Sequence, residues 1–139
     1  MSRRDTHHQE VVNALQKDQW VVTDDPLTLD FAGKLVGIDL AAEKLLVAAE
    51  RAERQIAVEI KSFQGSSDVS EFHTAVGQFL NYRYVIGKAM PERTLYLAIP
   101  LGAFTGFFQE SDVQEIIKAH RIKLLVYDPR REEIHQWID

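Results

Sequence analysis

The sequence predicts an α/β fold in which helices flank a mixed β-sheet. The clearest strand covers residues 55–61, where Ile56, Val58 and Ile60 alternate with side chains that leave the opposite face. The clearest helix covers residues 69–88, whose apolar side chains recur at helical spacing. The predicted order is a helix, several strands, a helix, a strand, a helix and two strands, which is typical of an α/β sandwich around a mixed sheet.

The first elements follow from local patterns. Residues 5–17 predict an amphipathic helix, because Val11, Val12 and Leu15 share one face and Asp5 is a plausible N-cap. Residues 41–50 are ambiguous, since their alanines and leucines suit a helix. A hairpin is favoured there, with a polar turn at 51–54 leading into the strand at 55–61. Before it, short strands are predicted at residues 20–23, 27–31 and 35–38.

The second half of the chain alternates helices with strands. Asp68 followed by Glu71 fits an Asp variant of the N-terminal capping pattern, and Pro91 ends the helix unit that begins there. The remaining elements are a strand at 94–99, a helical patch at 101–109, a helix at 112–120 and strands at 122–127 and 133–138. About five of the strands are expected to form the mixed sheet.

Length and composition narrow the function classes. A chain of 139 residues with 45% hydrophobic and 27% charged residues predicts a single folded domain over residues 1–139. The net charge of −5 excludes nucleic-acid binding by bulk positive charge, although a local basic patch remains compatible with it. There is no cysteine, which excludes disulfides, zinc-thiolate sites and thiol nucleophiles.

No stretch of the sequence predicts insertion into a membrane. The first 20 residues lack the apolar run of a signal peptide, and no apolar run approaches the roughly 20 residues that span a bilayer. A cytoplasmic protein without a membrane partner is therefore expected.

Charged side chains on the central strand indicate a site for metal binding and catalysis. Glu59 and Lys61 are two residues apart, so both leave the same face of the sheet. A carboxylate holds a hard divalent cation, and a nearby lysine positions water or stabilises charge on phosphorus. A second carboxylate is needed, and Asp39 follows an apolar stretch that is expected to form a neighbouring strand. Together these residues favour metal-assisted phosphodiester hydrolysis.

The predicted metal is Mg²⁺ or Mn²⁺, held by Asp39, Glu59 and the backbone carbonyl of Ile60. An alternative stays open, because a Glu-x-Lys pair by its spacing alone favours an ordinary half-exposed strand whose charges face water. Asp39 alone is likewise more typical of a strand end or turn.

The long helix adds a second pair. Gln78 and Tyr82 are four residues apart and therefore neighbours on one helical face. A Gln-x-x-x-Tyr pair beside Glu-x-Lys resembles the RecB-like branch of the PD-(D/E)xK, or restriction-endonuclease-like, superfamily. The resemblance implies that the glutamine orients the lysine or a metal-bound water, and that the tyrosine contacts DNA or shapes the site.

The first helix offers one further candidate. Some members of that branch carry a histidine on their first helix, and His8 lies in the corresponding region. A buried structural histidine is the alternative interpretation of His8. Glu10 is a lesser alternative as the functional residue, because other members place a glutamate on that helix.

Almost the whole chain resembles the narrower XisH family, the fdxN-element excision controlling factors of cyanobacteria. The segment SEFHTAVGQFLNYR at residues 70–83 is the most specific part, and Gln19 departs from the glycine usual before Trp20, which bears on the first turn. Further matching stretches lie at residues 8–18, 25–27, 38–43, 56–63, 95–100 and 126–129.

The resemblance implies a role in site-specific excision of a DNA element during heterocyst development. It implies DNA as a partner, a separate recombinase that performs the rearrangement, and a small XisI-type companion protein. Two functions follow as hypotheses: a metal-dependent DNA endonuclease, or a non-catalytic recombination accessory factor that binds DNA or a partner. Cutting both strands would require two copies of so small a chain, which predicts a homodimer.

Overall fold

A computed structural model describes residues 6–46 and 52–139 of the chain. The helices are α1 (His8–Lys17), α2 (Asp68–Ala89), α3 (Leu101–Thr105) and α4 (Ser111–Ala119), with a 3-10 helix at Phe107–Gln109. The strands are β1 (Val21–Asp24), β2 (Leu27–Phe31), β3 (Lys34–Ile38), β4 (Leu40–Leu46), β5 (Ala52–Ile60), β6 (Arg93–Pro100), β7 (Leu124–Asp128) and β8 (Glu133–Ile138).

Within the described residues, six strands form one mixed sheet in the order β1-β4-β5-β6-β7-β8. The pairs β5–β6 and β6–β7 are parallel, and the other neighbours are antiparallel. β2 and β3 pair separately as a two-stranded hairpin. The prediction of a mixed sheet flanked by helices is confirmed, with one strand more than the expected five.

Two apolar clusters lie on opposite faces of this sheet. On one face, Ile56, Val58 and Ile60 of β5 pack with Val11 and Leu15 of α1. The other face is covered mainly by α2, with contributions from the 3-10 helix and α4; it contains Ala57, Phe72, Ala75 and Phe79. The period-two pattern of β5 therefore places its even-numbered side chains toward α1 and its odd-numbered ones toward α2.

Residues 41–46 of the ambiguous segment form strand. β4 pairs with β5 in antiparallel register from Leu40↔Val58 to Leu46↔Ala52. The predicted antiparallel pairing of these two segments is therefore confirmed. The strand bounds differ from the prediction, because β4 begins at Leu40 and β5 begins at Ala52. The tip of this hairpin, residues 47–51, falls outside the described residues, as does the predicted N-cap Asp5.

The prediction of Asp68 as the N-cap of α2 is wrong by one residue. Ser67 is the N-cap, and its hydroxyl oxygen accepts the Ser70 amide at 3.1 Å. Glu71 accepts the amide of Gly65 at 2.8 Å, before the helix begins. Asp68 is the first helical residue, where a negative charge still complements the helix dipole.

Gln19 lies in the turn between α1 and β1 with a φ of 72°. This left-handed conformation favours glycine, which carries no Cβ to clash with the backbone. The sequence departure at this position therefore falls where the turn geometry is most demanding. Within the described residues, no helix combines the length and apolarity needed to cross a bilayer.

A candidate metal and catalytic site

The two predicted carboxylates meet where β4 begins and β5 ends. Asp39 lies one residue before β4, so the register that pairs Leu40 with Val58 brings it opposite Glu59. The Asp39 amide donates to Glu59 Oε1 at 3.3 Å, and Asp39 Oδ2 accepts the Ile60 amide at 2.7 Å. These reciprocal bonds fix both side chains relative to the backbone at the end of the central strand.

Lys61 completes this group from the same strand face. Its Nζ lies 3.8 Å from Glu59 Oε2, and its side chain is 21% exposed, against 8% for Glu59. The Lys61 amide donates to the carbonyl of Ala98 at 3.0 Å, which holds the residue beside β6. Lys61 is therefore the more solvent-exposed member of this ion pair, and Glu59 is the more buried one.

An open cavity of about 870 Å³ surrounds these residues. Gln78 and Tyr82 of α2 line it together with Asp39, Glu59 and Lys61, so the predicted helix pair lies on the same side of the sheet as the carboxylates. The β2–β3 hairpin forms another part of the wall through Leu35, Val36 and Gly37.

Burial makes the site electrostatically unusual. Burial, and next the neighbouring charge of Asp39, raise the pKa of Glu59 to about 8 against the opposing effect of Lys61. Burial likewise raises the pKa of Asp39, although the Ile60 amide, His8 and Lys61 partly oppose the change. The pKa of Tyr82 is raised by burial and then by the charges of Glu59 and Asp39. Two carboxyl groups thus compete for one proton in a partly dry site.

His8 enters the cavity from α1. It is 4% exposed, and its Nε2 donates to Asp25 Oδ1 at 2.8 Å, while its Nδ1 is buried without a hydrogen-bond partner in the described part of the chain. Glu10, the lesser alternative, does not line this cavity and lies 3.4 Å from His7 Nδ1. The geometry therefore favours His8 over Glu10 as the residue that α1 contributes.

The residues fit a hard divalent cation. Mg²⁺ is commonly held by one or two protein carboxylates, with water and substrate phosphate completing the octahedron, and Asp39 and Glu59 supply such a pair. Ile60 also lines the cavity, and the buried Gln78 Oε1 has no donor among the described residues, as expected of an acceptor for a metal-bound water. No set of three or more His, Asp and Glu side chains arranged for a metal occurs in residues 6–46 and 52–139, so carbonyl and solvent oxygens must complete the shell.

Two acidic residues of the cavity are not among the predicted site residues, Asp25 and Glu71. Asp25 anchors His8 from 17 residues away, and no local pattern relates it to a partner on another element. Glu71 lies seven residues before Gln78 and therefore on the same face of α2, so its spacing was an available signal.

These features define an α/β protein with a mixed sheet between helical layers. At the end of its central strand, a buried glutamate lies beside a partly buried aspartate and a lysine. The XisH protein family model matches residues 1–135, and the chain belongs to that family. It is similar to two crystal structures. One is an XisH family protein from Nostoc punctiforme PCC 73102, with 46% identity, a TM-score of 0.86 and coverage of 97% of this chain and 100% of that one.

The other is an fdxN element excision controlling factor protein from Anabaena variabilis. It has 48% identity and a TM-score of 0.87, and the alignment covers 98% of this chain and 100% of that one. No match to a curated protein was found. The resemblance to the XisH family drawn from the sequence is thus confirmed over nearly the full length.

Proposed function

We propose that this protein is an excision controlling factor that takes part in site-specific DNA rearrangement. The proposal is supported by the family match and by the 48% identity with the Anabaena variabilis protein, which is described as an fdxN element excision controlling factor. DNA and an XisI-type companion protein are its proposed partners.

Within that role we propose a metal-dependent DNA endonuclease of the PD-(D/E)xK class. The observation that carries this proposal is the convergence of Asp39, Glu59 and Lys61, with Lys61 Nζ 3.8 Å from Glu59 Oε2 in an open cavity. A buried carboxylate such as that of Glu59, with the partly buried Asp39 beside it, is costly to a fold unless it is paired or binds a cation. A cation bound in the open cavity would offset this cost.

Each residue then has a role in hydrolysing a phosphodiester. Mg²⁺ or Mn²⁺ bound by Asp39, Glu59 and the Ile60 carbonyl would supply Lewis-acid polarisation of the scissile phosphate. Lys61 positions the attacking water and stabilises the charge that develops on phosphorus. Gln78 orients the water or Lys61 through its buried Oε1.

The outer residues shape and support the cavity. Tyr82 lines the wall that faces DNA, and His8, held by Asp25, supports Asp39 electrostatically. In the reaction, the oxygen of the attacking water bonds to phosphorus and the water gives up one proton to solvent. One ester P–O bond breaks, and the leaving oxygen takes up one proton from solvent.

The test is cleavage of supercoiled plasmid and of branched DNA by purified protein, with Mg²⁺, Mn²⁺ or EDTA, and with or without the companion protein. Lys61→Ala is expected to lower the cleavage rate by about a hundredfold or more, because it removes a positioned charge from the transition state. Lys34→Ala is the matched control, since Lys34 is an exposed lysine that does not line the cavity.

DNA affinity of Lys61→Ala is expected to change little, because one charge contributes modestly to a multi-contact interface. Absence of metal-dependent cleavage in every condition, together with normal element excision in cells carrying a folded Lys61→Ala variant, would rule out the nuclease. The non-catalytic accessory factor would then be the function.

A further inference from the structure

A second cavity lies at the opposite end of the parallel strands. It has a volume of about 340 Å³ and lies between the C-terminal half of α2 and the start of β6. Four positively charged side chains line it, although the chain as a whole carries a net charge of −5. They are Arg83, Arg93, Arg121 and Lys123.

Contacts with the backbone hold the Arg83 side chain against the segment before β7. Arg83 Nη1 donates to the carbonyl oxygens of His120 at 2.7 Å and Arg121 at 3.0 Å. The Arg83 guanidinium also stacks over the Phe79 ring, 5.4 Å from its centroid. Arg83 is therefore fixed beside the segment that carries Arg121 and Lys123.

Arg93 is the deepest of the four. Its side chain is 9% exposed, and Nη1 donates to the Ile56 carbonyl at 2.8 Å. Its Nε is buried and has no hydrogen-bond partner among the described residues. A buried donor without a partner is costly, so this arginine is poorly satisfied by protein alone.

Nearby carboxylates offset only part of the charge. Glu43 lies 3.7 Å from Arg93 Nη2, and Asp139 lies 3.8 Å from Lys123 Nζ. Asp139 also accepts a 2.5 Å hydrogen bond from the Tyr96 hydroxyl, and its side chain is 59% exposed. The Lys123–Asp139 pair is long and solvent-exposed, and such pairs contribute little. The cavity thus has four cations against two carboxylates. The cavity therefore keeps an excess of positive charge.

We propose that this basic cavity binds a backbone phosphate of DNA, at a distance from the candidate catalytic site. The inference rests on the proposed function for its choice of DNA as the source of phosphate. Arg93 pairs with Gln55 and Leu97 pairs with Glu59, so the two sites are four residues, or about 13 Å, apart along the strands. That separation is similar to the roughly 12 Å width of a major groove, so one duplex can reach both sites.

The test compares two double variants with equal loss of charge. Arg121→Gln with Lys123→Gln removes two cavity cations that are not deeply buried. Lys34→Gln with Arg130→Gln removes two exposed cations that do not line the cavity. Affinity for a short duplex is measured by fluorescence anisotropy in EDTA over a range of salt concentrations. Binding of inorganic phosphate is tested separately, as a rise in melting temperature. Thermal melts without ligand confirm that each variant is folded.

The cavity variant is expected to lose about tenfold in DNA affinity, and its salt slope is expected to be shallower by about 1, the contribution of one phosphate. The control variant is expected to lose much less. Equal losses in both variants, or none in the cavity variant, would overturn the phosphate site while leaving the proposed nuclease intact. Binding of inorganic phosphate without binding of duplex would reassign the cavity to a free anion and overturn its role in DNA binding.

Discussion

The carboxyl groups of Asp39 and Glu59 share a small, partly dry volume, and their protonation depends on each other. Burial is the main cause of the raised pKa of Glu59, and the charge of Asp39 is the second. A cation bound in the cavity would replace the shared proton with a stronger positive charge. Proton and metal would therefore compete for the same two groups.

Removing the charge of Asp39 is expected to lower the pKa of Glu59 below its value of about 8. Asp39→Asn keeps a side-chain oxygen that accepts the Ile60 amide, so the geometry of the strand ends is preserved. The measurement is a ¹³C NMR titration of the glutamate carboxyl groups without metal. Asp112→Asn, an exposed change on α4, is the control and is expected to leave this titration unchanged. An unchanged Glu59 pKa in Asp39→Asn would show that the two groups do not interact.

The same carboxyl group makes the metal-free protein less stable as the pH rises. The folded-state pKa of Glu59 is about 8 and its ordinary value is 4.5, so between these pH values the folded state binds more protons than the unfolded state. The raised pKa of Asp39 acts in the same direction. Within that window the free energy of unfolding is expected to fall by up to about 1.4 kcal/mol per pH unit from Glu59.

Denaturant unfolding at pH 5, 6, 7 and 8 in EDTA measures this slope, and Glu59→Gln is expected to flatten it. Mn²⁺ is expected to raise the melting temperature of the wild type more at pH 8 than at pH 6, because the proton no longer competes. A slope in Glu59→Gln equal to that of the wild type would contradict the assignment.

At the scale of elements, α2 links the core to the cavity. Phe72, Ala75 and Phe79 bury one side of the helix against the sheet, and Gln78 and Tyr82 reach the cavity from an adjacent stripe. The position of the first turn of α2 therefore controls where the cavity residues lie.

Ser67→Ala is expected to lower the free energy of unfolding by about 1 kcal/mol, because it removes the acceptor for the Ser70 amide. Asp68→Ala removes only a first-turn charge and is expected to cost about 0.3–1 kcal/mol at low salt and less at high salt. Urea unfolding of both variants at high salt separates the two roles. A larger loss in Asp68→Ala than in Ser67→Ala under those conditions would return the cap to Asp68.

At the scale of the whole molecule, charge is distributed unevenly over the sheet. The buried carboxylates lie at the C-terminal end of β5, whereas the basic cavity lies at the N-terminal end of β6. An acidic chain can in this way present a local positive surface to an anionic partner. Its net charge alone is then a poor guide to what it binds.

A homodimer is expected if the protein cuts both strands of DNA, because each copy carries one candidate site and twofold pairing is the commonest assembly. Light scattering at micromolar concentration, with and without duplex DNA, measures the mass. A monomer in both conditions would remove the two-strand model, and single-strand nicking would then be the form of cleavage to test.

Local periodicity was sufficient to predict the parts of the site that lie on one element. Glu59 and Lys61 share a face because strand side chains alternate, and Gln78 and Tyr82 share a face because they are four residues apart on a helix. These two pairings depend only on backbone geometry that each short segment specifies by itself. The expectation that the apolar stretch before Asp39 forms the strand beside the central one is wrong, because Lys34–Ile38 pairs with β2. Asp39 lies next to Glu59 because β4, which begins at Leu40, pairs with β5.

Contacts between distant segments were decided only by the tertiary structure. His8 meets Asp25, and α2, β6 and the segment before β7 bring four cations to one cavity, although no local pattern relates them. The raised pKa of Glu59 likewise depends on burial by residues far away in the chain. Spacing determines which face a side chain leaves, whereas packing determines what it meets there and how much water remains around it.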